Sequence, residues 1–231
     1  PVLEPTMPYL QDHLSSAEYS TLVNWIAAGA PDKNGVVKFS DNPNRKKLYI
    51  VMQGCDKVAV VDEATKVIMR YVDVGNKPNQ IESPHQVRVS PDGQYWYVVF
   101  YTGDILQKFR TSDDTFVGEV NITSATWNTL VFSNSGDTGF VNGTIEGVTA
   151  VVNLNTMTFQ NLFTISYPHG GLVTPDGRYM YVTSQNGNFI TKVDLSTAPF
   201  YDNSTVVLVP GAIPSTSAGT YDPHEITLTP D

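Results

Sequence analysis

A single cysteine, Cys55, stands in the 231 residues, so neither an intrachain disulfide nor a cysteine-rich zinc site can form, and this count leaves the redox compartment open. Basic residues are scarce. Fourteen Lys and Arg face 23 Asp and Glu, a net charge of −9, which works against contacts with phosphate backbones and anionic membranes and excludes nucleic acid as the expected partner. No run approaches the roughly 18 apolar residues of a membrane span, and no charged-then-apolar signal stretch opens the chain. A nucleophile elbow, a phosphate-binding glycine loop and a zinc-protease helix are also missing. Histidine occurs only four times, yet three of these residues directly follow a proline.

Those Pro-His pairs belong to a phrase that restarts four times: Pro84-His85 in PHQVRVSPDG, Trp127-Asn128 in WNTLVFSNSG, Pro168-His169 in PHGGLVTPDG and Pro223-His224 in PHEITLTPD. The second residues of successive phrases lie 43, 41 and 55 positions apart, a period that marks a repeat architecture. Within one unit, His85 to Val89 reads as a strand, Pro91-Asp92-Gly93 as a turn and Tyr95 to Tyr101 as a second strand. Ile105 to Arg110 and Phe116 to Ile122 supply the third and fourth. Tyr97, Phe140 and Tyr181 fall at one point of the second strand in three units. An earlier unit fits more loosely, with Val36 to Phe39 as first strand, then Leu48 to Met52, Val58 to Asp62 and Val67 to Val74. Four short strands per roughly 40 residues define a propeller blade. The fold class expected is therefore all-β: a β-propeller of four-stranded blades over residues 35–231, four blades and a fragment, behind a short helical segment at 1–34.

The stretches MYVTSQNGNFITKVDLST (180–197) and KVAVVDEATKVIMRYVDVG (57–75) resemble the YVTN family of β-propeller repeats, a likeness that covers about residues 36–231. Such propellers close with seven or eight blades, so the resemblance implies a further stretch of chain or a partner subunit to complete the ring. The chain opens on Pro1 and stops at Asp231 inside a phrase that elsewhere continues to glycine, so sequence is expected beyond both ends. Related propellers include surface-layer proteins, lactonases and redox enzymes, and fold alone does not choose among them. Lactone hydrolysis finds no catalytic residue here that can be named.

Residues 1–34 break the blade rhythm. Ser15 with Glu18 makes a capping box, Tyr19, Leu22, Val23 and Ile26 fall at helical spacing, and Gly29 with Pro31 provides a stop, which predicts an amphipathic helix of about three turns. The stretch TMPYLQDHLSSAEYSTLVNWIAAGAPD (6–32) resembles the end of a class I cytochrome c domain. That resemblance implies haem c as cofactor, Met7 as its axial thioether ligand and Trp25 in the packing beside it. The C-x-x-C-H that attaches such a haem is absent, so either it lies upstream of Pro1 or the helix is a relic; the alternative is a helix that merely packs against the propeller, with Met7 and Trp25 as ordinary apolar contacts.

In a propeller the first strand of each blade lines the central channel, so His85, His169 and His224 are expected together at one mouth. Imidazole binds copper, zinc and haem iron, and three converging rings are candidates to hold copper or another transition metal. The plan resembles nitrous-oxide reductases and the nitrite reductases that join a cytochrome c to a haem-binding propeller. Against ligation stands strand parity, which puts His85 on the side of Val87 and Val89 and His224 on that of Ile226 and Leu228, the packed side. On that reading each ring only hydrogen-bonds to a neighbouring blade. Parity points Glu225 to the opposite face from His224. Asp92 and Asp176 read as turn caps, and Cys55 as an incidental residue of a peripheral turn. The function expected is an exported, periplasmic or extracellular, redox-associated protein in electron transfer, working with a redox or other protein partner. The alternative is a non-catalytic surface or periplasmic propeller that binds protein or polysaccharide.

Overall fold

The computed structural model describes residues 13–40, 42, 44–217 and 221–229. The backbone divides into two units between Arg45 and Lys46. In the first, α1 (Ser16–Ala27) begins at a complete capping box, with Ser15 and Glu18 bonded reciprocally. It ends where Gly29 takes a φ of 86° and donates to the Ile26 carbonyl, a left-handed stop that glycine adopts without penalty. No residue of α1 is buried.

The second unit is a series of antiparallel sheets. The first has three strands in order: β1 (Lys47–Met52), β2 (Lys57–Asp62) and β3 (Ile68–Asp73). The next has four, β4 (Pro84–Val89), β5 (Tyr95–Phe100), β6 (Ile105–Arg110) and β7 (Phe116–Asn121). The third runs through β8 (Trp127–Phe132), β9 (Thr138–Gly143), β10 (Val148–Asn153) and β11 (Thr158–Thr164). The fourth contains β12 (Pro168–Val173), β13 (Tyr179–Ser184), β14 (Phe189–Asp194) and β15 (Asn203–Val207). Each is a simple meander, and the inner strands β4, β8 and β12 pack against one another in turn. This is the β-propeller expected, with one correction. Residues 36–39, read as the first strand of the first blade, form no strand, with Phe39 in a turn at a φ of 67°, and that blade starts at its second strand.

Alternation explains why the second strands are apolar almost throughout. Along β5, Trp96, Val98 and Phe100 enter a core shared with Val58 and Val74 of the first blade, while Tyr97 and Val99 enter a core shared with Trp127, Leu130 and Val141 of the third. Phe140 and Val151 of the third blade meet Met180, Val182 and Val193 of the fourth. The second and third sheets are thus buried on both faces, with one core per blade boundary. The register agrees with the repeat: Tyr97 pairs with Arg88, Phe140 with Val131 and Tyr181 with Leu172.

The turns repeat as well. Asp92 accepts from the Gln94 amide at 3.0 Å and Asp176 from the Arg178 amide at 3.0 Å, while Gly93 and Gly177 have φ of 71° and 73°, so both aspartates cap turns as the sequence implies. The 55-residue interval before His224 is longer because a 3-10 turn (Leu195–Thr197) and the stretch 208–217 extend the fourth blade. Polar ties join successive blades. The ammonium of Lys108 donates across a boundary to the Leu154 carbonyl at 2.8 Å. The carboxylate of Asp114 accepts from Lys47 at 2.9 Å, Tyr49 at 2.8 Å and Trp96 at 3.3 Å.

Candidate functional site

The blades begin with a shared backbone device. Ser83, Tyr167 and Asp222, each just before a Pro-His pair, have φ of 56°, 47° and 42°. The carbonyls of Ser83, Thr126 and Tyr167 accept from the amides of Tyr101, Thr144 and Gln185, the residues that follow the second strands. The ladder then slips. Pro84 pairs with Phe100 but the next pair is Gln86 with Val99, leaving His85 as an extra residue. Trp127 pairs with Gly143 and Thr129 with Asn142, leaving Asn128 extra. Between Pro168–Ser184 and Gly171–Val182, two residues, His169 and Gly170, oppose one.

These bulges correct the parity argument. A bulge resets the alternation and re-aims the side chain it carries, so His85 is not tied to the face of Val87 and Val89. Its Nδ1 lies 3.0 Å from the Asn128 carbonyl, one blade on, and its ring stacks on Tyr101 at 5.7 Å between centroids. The His169 Nδ1 lies 3.1 Å from the His224 carbonyl, again one spoke on. Between them, Thr129 Oγ1 at 2.5 Å and Asn142 Nδ2 at 2.8 Å donate to the His169 carbonyl. His85 therefore touches its counterpart Asn128 and His169 its counterpart His224, while the residue after Asn128 reaches His169, so the phrases lie side by side as successive spokes.

The imidazoles converge. Ring centroids of His85 and His169 are 6.2 Å apart, and those of His169 and His224 only 3.8 Å. His169 is buried, whereas the His224 side chain is 58% exposed. Burial, with smaller contributions from the neighbouring His224 and His85, pulls the His169 imidazole down to about 4, so the ring is neutral near neutral pH. A neutral ring whose Nδ1–H donates to a carbonyl presents its lone pair at Nε2, where it can ligate a metal.

Residues 221–229 join no ladder, so the strand alternation used to place Glu225 does not apply. Its Oε1 lies 3.6 Å from the His224 Nδ1 and 3.7 Å from the His169 Nδ1, on the same side as the histidines rather than opposite them. Gly170 makes this approach feasible: a Cβ there would lie 2.6 Å from the His224 carbonyl and 2.7 Å from Glu225 Oε2. The glycine after His169 was the signal available in the sequence, but its meaning depends on a segment 55 residues away.

The remaining candidates lie elsewhere. Met7 falls outside the described residues. Trp25 donates from Nε1 to the Pro31 carbonyl at 2.8 Å, tying the Gly-Ala-Pro loop to α1. Cys55 is exposed in the β1–β2 turn, where it lines a cleft of about 770 Å³ with Asp73 and residues 74–81. Next to it, Asp56 accepts from the Glu82 and Ser83 amides at 2.8 and 2.9 Å and so fixes the approach to His85. A lone exposed cysteine does not fit covalent attachment of haem c. The strand starts fit ligation better: beside the neutral His169, the buried Oδ1 of Asn128, whose carbonyl meets His85, lacks a hydrogen-bond partner among the described residues, and buried polar atoms ordinarily find one.

No protein-family model matches the chain, and no curated protein does. Solved structures share its fold. Hydrazine synthase of Kuenenia stuttgartiensis matches with a TM-score of 0.59 and 19% identity, over 70% of this chain and 51% of that one. The dihydro-heme d1 dehydrogenase NirN in complex with DHE matches at 0.57 and 13%, over 84% and 46%. A catalytically inactive virginiamycin B lyase of Staphylococcus aureus with quinupristin matches at 0.61 and 13%, over 79% and 56%. The chain spans about half the length of each, and at these identities the likeness is one of fold: an all-β propeller whose blades match those of the solved chains.

Proposed function

We propose that this propeller is a redox-associated protein whose mouth holds a transition metal or a haem iron through imidazoles of His85, His169 and His224. The observation that carries this reading is the meeting of three rings from spokes 55 to 139 residues apart, with centroids 3.8 and 6.2 Å from that of the central His169. Bound there, a metal or haem would supply one-electron chemistry. The residues of this chain hold the His85 and His169 rings in one tautomer, keep His169 neutral by burial and leave His224 exposed toward a partner.

In this reading the segment 6–32 is the end of a cytochrome c-like domain, with Met7 and Trp25 on its haem, and the mouth docks a redox protein partner in the periplasm or outside the cell. The likeness to NirN supports a haem-linked role by fold alone. Among the described residues no helix is long and apolar enough to cross a membrane.

Absorption spectroscopy and metal analysis of the protein from its natural source test the reading. A haem band or about one equivalent of transition metal, diminished in His85→Ala and His169→Ala variants, is the expected result. Absence of both chromophore and metal would remove the redox role and leave a propeller that binds protein or polysaccharide.

A further inference from the structure

His169, His224 and Glu225 place one donor atom each within 4.8 Å of one another. Two imidazoles and one carboxylate form a mixed N2O set, which suits divalent first-row ions such as Zn2+, Cu2+ or Ni2+ and not the all-oxygen preference of Mg2+ or Ca2+. We propose that these three residues bind such an ion and that the ion pins residues 221–229 onto the fourth blade. This rests on the reading of the mouth as a ligand site and adds the Glu225 carboxylate to the donors there.

The geometry supports the division of labour. Ligands on a tetrahedral zinc at about 2.1 Å stand about 3.4 Å from each other, so the donor atoms must close by roughly 1.4 Å from their present limit. His169 is held by its bulge, its burial and its bond to the His224 carbonyl. The movable partners are the side chains of His224 and Glu225, 58% and 63% exposed on a segment that joins no ladder. The His224 carbonyl is already bonded to the blade through the Gly170 amide at 3.1 Å and Thr183 Oγ1 at 3.0 Å, so closure moves the His224 and Glu225 side chains and adds a second tie beside that one. His85 is already engaged with the Asn128 carbonyl and with Tyr101, and its ring centroid is 6.2 Å from that of His169.

Gly170 gives an independent indication that the segment and the blade are built for close approach. Backbone carbonyl, Glu225 Cα and carboxylate all lie within 2.8 Å of where a Cβ would stand. A carboxylate beside two imidazoles is a donor set for a divalent cation rather than for an anionic ligand.

Zn2+ alone, titrated calorimetrically into the metal-stripped chain, tests the proposal, with hydrogen exchange of residues 221–229 as a second readout. One ion per chain is expected, with affinity reduced at least about tenfold in Glu225→Gln and His224→Gln. Exchange at 221–229 should slow only when Zn2+ is present and only in chains with Glu225 intact. Wild-type affinity in both Glu225→Gln and His224→Gln, or no binding at millimolar Zn2+, would overturn it. Both substituted side chains are exposed, so these variants fold with the parent. A colourless natural protein would defeat the redox reading while leaving the zinc isotherm intact, so the two failures are separable.

Discussion

Neutralising Asp114 should unfasten the first blade from the second. Its carboxylate, 1% exposed, accepts from Lys47, itself 8% exposed, and from the Tyr49 hydroxyl and the Trp96 indole. Asparagine tolerates the left-handed backbone at this position, where φ is 61°, and still accepts from Tyr49 and Trp96. What changes is the buried ammonium, left without its counter-charge. Removing one partner of a buried pair costs about 3 to 5 kcal/mol, and Lys47 keeps its bond to the Thr111 carbonyl at 2.7 Å, so Asp114→Asn should fall at the low end, about 3 kcal/mol. Arg70, 3.7 Å away and 43% exposed, adds little because solvent screens it. Urea unfolding followed by tryptophan emission reads the effect, since Trp96 and Trp127 are buried. In a double-mutant cycle with Lys47→Met the coupling should be about 2 kcal/mol. A loss under about 0.5 kcal/mol with additive single effects would refute the buried pairing and, with it, the clasp between these blades.

Other outcomes follow from the same structure. Trp127→Ala empties the core between the second and third blades and should cost about 4 kcal/mol in the same urea assay. Gly170→Ala pushes a methyl group into the His224 carbonyl and Glu225. Zinc-dependent protection of 221–229 should disappear while the fourth blade keeps its circular dichroism. Bonds from Ser90, Ser135 and Thr174 hold the carboxyls of Asp92, Asp137 and Asp176 below the usual range. Folded values below unfolded ones mean that their contribution is full above about pH 4 and is lost as pH falls through the depressed values. An Asp92→Asn, Asp137→Asn, Asp176→Asn variant should therefore show a shallower acid-unfolding limb below about pH 4, and an unchanged limb would contradict these bonds.

What the sequence revealed and what it hid divide along chain separation. The register of Tyr97, Phe140 and Tyr181, the capping box of α1 and the Asp92 and Asp176 turns were legible because each depends on residues a few positions apart or on a repeated spacing. The bulges at His85, Asn128 and His169 were not, since a ladder slip appears only when two strands are paired, and strict alternation then assigned His85 and Glu225 to the wrong faces. Val36 to Phe39 has strand-like composition but forms no strand. The partners of Asp114 are up to 67 residues away, which no local pattern announces. Convergence of the histidines was legible as an expectation from propeller symmetry, while the part played by Glu225 required coordinates.

Electron paramagnetic resonance of the chain loaded with one equivalent of Cu2+ tests most directly whether separate spokes deliver imidazoles to one point. The account predicts couplings from at least two imidazole nitrogens, with one lost in His224→Gln. A copper spectrum free of imidazole couplings, or one that His169 and His224 substitutions leave unchanged, would contradict it.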